Sequence, residues 1–153
     1  MSKRKGELLV DWLVLGGGAL LFISLFLPWS DQFSAPFLAQ FGRSALLSGV
    51  PHDPTAWQVY SIVDVLLALL AGALVAAALW GGRVARWCTL AGAAVALAFT
   101  LQAVATPPTD GAIVFNGGAH YVSTGATAGA GETVAIIALV AAMLGLLVSV
   151  TLD

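Results

Sequence analysis

Four long apolar runs dominate the chain, separated by stretches rich in proline, glycine and polar residues. They cover about residues 8–27, 59–80, 84–104 and 133–150. A helix crossing the hydrocarbon core of a bilayer needs about 20 mostly apolar residues, and each run is near that length. Apolar and polar positions do not alternate within them, which argues against barrel strands. In hydrocarbon the backbone must satisfy its own hydrogen bonds, so each run is expected as a helix. The pattern predicts an all-α membrane protein, a single membrane domain over 1–153. Its expected architecture is an antiparallel four-helix transmembrane bundle with two extracytoplasmic loops, about 28–58 and 105–132.

The loops carry their own patterns. Leu27-Pro28-Trp29 ends the first run, because the residue before proline is pushed out of the helical region. Asp53-Pro54 marks a turn just ahead of the second run. Between them, Phe37, Leu38, Phe41, Leu46 and Leu47 are spaced as in a short amphipathic helix over 36–47, lying on the membrane surface. In the second loop, two β-prone stretches, 112–115 and 119–122, flank Asn116-Gly117-Gly118 and read as a hairpin. An isolated hairpin is marginal in water, so it is expected to pack on the first loop. The glycine- and alanine-rich segment 123–131 reads as a flexible lead-in to the fourth run.

Composition removes the soluble alternatives. The chain is 59% hydrophobic and 9% charged, against roughly 25% charged in a typical soluble domain. A net charge of −2 provides no basic field for nucleic acid. The lone cysteine, Cys88, cannot form a disulfide within one chain and reads as a packing or lipid-facing thiol.

Charge sets the orientation. Lys3, Arg4 and Lys5 precede the first run, and Arg83 and Arg86 stand at the short link between the second and third. Only Arg43 falls elsewhere. The positive-inside rule then puts both termini in the cytoplasm of a multi-pass plasma-membrane protein. The tryptophans fit two interfacial belts: Trp12, Trp80 and Trp87 at the inner boundary, Trp29 and Trp57 at the outer. A cleavable signal peptide is disfavoured, since cutting near Ser34-Ala35 would place Phe33 where a small residue is wanted and Pro36 just beyond.

Small residues mark the expected helix contacts, because lipid tails give apolar helices no hydrophobic reason to pair. Ala68, Gly72 and Ala76 form one stripe. Gly92, Ala96 and Thr100 form another, and Ala138, Ala141 or Ala142, and Gly145 a third. Gly16-Gly17-Gly18 lies in the first run, for packing within the bundle or for self-association.

Chemistry is sparse. Asp64, Ser61, Gln102 and Glu132 fall at one depth near the outer boundary, and Arg43, His52 and His120 come from the loops. A polar cluster of Asp64, Gln102, Glu132 and Arg43 could hold an ion or ligand. The preferred reading is that Asp64 bonds to loop amides or to Arg43 and fixes the loop onto the bundle. Asp11 lies at the depth of Arg83 and Arg86 and is expected in an interfacial ion pair. The histidines lack metal-ligand spacing, and no nucleotide, protease or hydrolase motif falls in a usable context, so no metal, cofactor or catalysis is expected.

Ser24-Leu25-Phe26-Leu27-Pro28-Trp29, Thr55-Ala56-Trp57-Gln58-Val59-Tyr60 and Ile62-Val63-Asp64-Val65-Leu66-Leu67 together resemble a family of small four-span integral membrane proteins of actinobacteria, one without an assigned activity. The resemblance covers about the first 80 residues. It implies a bacterial plasma-membrane protein with Trp29, Trp57 and Asp64 as recurring features, and no reaction. The expected function is a structural or accessory membrane subunit, binding other membrane proteins or itself through small-residue helix faces and the outer loops. The alternative is a small oligomeric channel or transporter with a polar outer mouth.

Overall fold

The computed structural model describes residues 2–43, 52–60, 62–107 and 126–152. The expected hairpin, His120, Ser61, Leu46 and Leu47 lie outside them. The chain is mostly helical: α1 (Ser2–Ser24), α2 (Ala35–Phe41), α3 (Ala56–Val59), α4 (Val63–Trp80), α5 (Arg83–Ala105) and α6 (Ala130–Leu152). Two short strands, β1 (Ser30–Asp31) and β2 (Thr127–Ala128), pair antiparallel. Three helical stretches, Val63–Trp80, Arg83–Ala105 and Ala130–Thr151, are long and apolar enough to cross a membrane. The apolar stretch of α1, Leu8–Ser24, is shorter.

The helix ends have local causes. Beyond Ser24 the chain tightens into bonds from Leu25 N–H to Phe22 O, Phe26 N–H to Ile23 O and Leu27 N–H to Ser24 O, at 3.1–3.3 Å. Pro28 then forbids continuation. The helix of the second run starts later than expected: α3 ends at Val59, Tyr60 leaves the helical region at φ −129°, ψ 77°, and α4 begins at Val63. Gly81 and Gly82 are extended and turn the chain directly from α4 into α5.

Close packing comes from the middle of α1. A Cβ at Gly17 would lie 2.7 Å from both Ala138 O and the Ala142 Cβ, and one at Gly18 would lie 2.9 Å from Ala71 O. The two missing side chains let α1 seat against α6 and α4 at once. The helices thus run α4, α1, α6, α5 in space, and the consecutive α4 and α5 share less contact than α1 does with α4 or α6. Between those two, Leu66, Leu70, Val95 and Phe99 help to line an apolar groove of about 530 Å³.

The expected stripe on α4 does not make this packing. The core face of α4 is Asp64, Leu67, Ala71, Leu74 and Ala77. Ala68 is half-buried, Gly72 and Ala76 are exposed, and no atom would approach a Cβ at Gly72 within 4 Å. On α5, Ala96 is buried while Gly92 is half-buried and faces the Leu70 side chain across the groove. At the other end of the helices Arg86 approaches Asp11 at 3.8 Å, as expected of an interfacial pair, and its guanidinium also donates to Ser149 Oγ.

Candidate functional site

The end of the bundle opposite Arg86 is closed by a strap, residues 28–32, held on both flanks. On one side Pro28 pairs with Thr55, Trp29 N–H donates to Pro54 O at 2.9 Å and Gln32 N–H to His52 O at 3.0 Å. On the other, Ser30 and Asp31 pair with Ala128 and Thr127. Gly129 N–H donates to Trp29 O at 3.0 Å and Gly131 N–H to Pro28 O at 2.7 Å. The segment expected as a flexible lead-in is, over 127–131, one wall of this cap. A side chain at Gly131 would strike the Trp29 indole, so only glycine lets the start of α6 close over it.

Trp29 corrects a second expectation. It is 0% exposed, and its indole N–H donates to Ser24 O at 2.8 Å. It is a plug between the strap and the helices, turned inward when the chain reverses at Pro28. Its ring meets Tyr60 edge-on at 6.0 Å, and Tyr60 meets Phe99 at 5.3 Å, linking the cap to α5. Trp12, Trp57, Trp80 and Trp87 are exposed.

Beneath the cap lie two acids. Asp64 stands in the first turn of α4 and Glu132 in the first turn of α6. Both are 0% exposed, and none of their four carboxyl oxygens has a hydrogen-bond partner. Both are within electrostatic reach of the Tyr60 phenol. The expectation that Asp64 bonds to loop amides or to Arg43 is therefore corrected. The strap amides of Trp29 and Gln32 are spent on Pro54 O and His52 O, those of Gly129 and Gly131 on Trp29 O and Pro28 O, and Arg43 is exposed at the end of the α2 segment. Gln102 is exposed as well, so the four residues of the expected polar cluster do not assemble. Asp64 and Glu132 are buried; the other two face outward.

The strap adds polar groups of its own. Gln32, 1% exposed, donates through Nε2 to Ser30 Oγ at 2.6 Å. His52 packs edge-on against Phe33 at 5.8 Å. Partial burial, reinforced by the Asp53 carboxylate, holds the Asp31 carboxyl above the usual carboxylate range. Among the described residues no group of three or more His, Cys, Asp or Glu could hold a metal ion. Tyr60 was within view in the sequence, four residues before Asp64 and so one helical turn away, but no local signal ties it to Glu132.

No protein-family model, curated protein or solved structure matches this chain.

Proposed function

We propose that the chain is a four-span plasma-membrane protein with both ends in the cytoplasm, acting as a non-catalytic accessory subunit that binds another membrane protein or a second copy of itself. α1 supplies the fourth span. Supporting this, Leu9, Phe22 and Ile23 on α1 are exposed, which suits lipid and not water. Its basic start and the Arg83 and Arg86 end of the bundle fall on one side, as the positive-inside rule asks of cytoplasmic segments.

The observation that carries the accessory role is the open face of α4. Gly72 and Ala76 lie midway along α4 with nothing among the described residues within 4 Å of a Cβ at Gly72, while the contacts that hold this bundle together are made elsewhere on α4. A small-residue face lets a second backbone come close enough to pack. The test is disulfide or bismaleimide crosslinking in native membranes, with Gly72→Cys in a Cys88→Ala background. A discrete crosslinked species is expected at Gly72 and not at the outward Ile137 of α6. Equal, diffuse reaction at both positions would remove the proposal.

A small channel or transporter is the second reading, and the buried Asp64 and Glu132 favour it. The strap that roofs them would have to open for anything to pass.

A further inference from the structure

The two buried acids are in an environment that a bare carboxylate does not tolerate. Each lies in a helix that is apolar enough for the bilayer, is fully buried, and has no donor on either oxygen. Desolvating such a group without a hydrogen-bonding or charged partner is among the costliest arrangements in a fold, more so at membrane depth. No described lysine or arginine meets it. At this depth the outer halves of α1 and α5 carry no ionisable residue. The cap contributes Asp31, Asp53 and His52, and Tyr60 precedes α4. Arg43 is exposed, and Arg86 is at the far end with Asp11. The described lysines and arginines therefore leave the missing positive charge unsupplied.

We infer that the carboxyl groups of Asp64 and Glu132 are binding sites for a small cation, a proton or an alkali-metal ion, held beneath the outer cap. The strap over them is bonded on both flanks, and no described cluster suits a multivalent metal. Occupancy and closure support each other. Losing the cation leaves a charge that needs water, and water reaches it only if the strap lifts from 52–55 or 127–131. The site is the same whether the chain is an accessory subunit or a channel.

The experiment is labelling of the intact protein in phosphatidylcholine vesicles with dicyclohexylcarbodiimide, an apolar reagent that attacks protonated carboxyl groups, followed by peptide mapping. In sodium-free buffer at neutral pH, label is expected on Asp64 and Glu132 and several-fold less on the ion-paired Asp11. Added sodium that slows the labelling several-fold identifies an alkali ion competing with the proton. Labelling that sodium leaves unchanged, and that falls as pH rises, identifies the proton alone. Asp64→Asn and Glu132→Gln should each delete only their own label; the wild-type arms stand even if a variant fails to fold. Absence of label on both residues in sodium-free buffer would overturn the inference, since both would then be charged and hydrated.

Discussion

At the scale of single residues, Trp29 does more than any other side chain at the outer end. It fills the space under the strap, caps Ser24 O and carries contact onward to Tyr60. Truncating a buried tryptophan costs about 3–5 kcal/mol. Trp29→Ala should therefore lower the free energy of reversible unfolding in detergent by that amount. Trp80→Ala, at an exposed position, should stay within about 0.5 kcal/mol. Equal losses for the two would mean that Trp29 is a surface anchor after all. The sequence located Trp29 just beyond the end of α1 and Asp64 near the start of α4, because position follows from distance along a helix. It could not give their direction. Whether an indole turns to headgroups or inward depends on how the chain reverses at Pro28. Whether Asp64 finds a donor depends on which loop amides are already taken.

At the scale of elements, apolar run length made the helices legible. The third and fourth differ from their expected bounds by a few residues at most, 84–104 against Arg83–Ala105 and 133–150 against Ala130–Leu152. The break between α3 and α4 was not legible, because Tyr60 and Ile62 are as apolar as their neighbours. Nor were β1 and β2. Two residues apiece are too short to carry a strand pattern, and the pairing exists because the strap and the segment leading into Gly129 meet at the Trp29 plug. Small residues were recognisable as packing positions, but not which of them face a neighbour. That difference has an opposite-signed consequence at two glycines. Gly17→Ala drives a methyl into Ala138 O and Ala142, and should destabilise by about 1–3 kcal/mol. Gly72→Ala meets open space and should stabilise α4 by up to about 1 kcal/mol. Detergent-unfolding curves of the two variants read both signs. A loss at Gly72 matching that at Gly17 would place α4 against the rest of the chain differently.

At the scale of the whole molecule, the two ends are built differently. At the Arg86 end the guanidinium meets Asp11 and Ser149, and the α4–α5 link is two glycines. The opposite end holds the strap, the two strands and both buried acids. Any working chemistry is therefore concentrated outside, if the basic residues mark the cytoplasm. That orientation depends on α1 being a true span, the one helix whose apolar stretch is short. An odd number of spans would put the termini on opposite sides, and an even number on the same side. Labelling of intact cells with a membrane-impermeant maleimide, in single-cysteine variants of the Cys88→Ala protein, decides between them. The account predicts that Asp53→Cys reacts in intact cells, while Ser2→Cys and Asp153→Cys react only after permeabilisation. Ser2→Cys and Asp153→Cys labelling from opposite sides would contradict it.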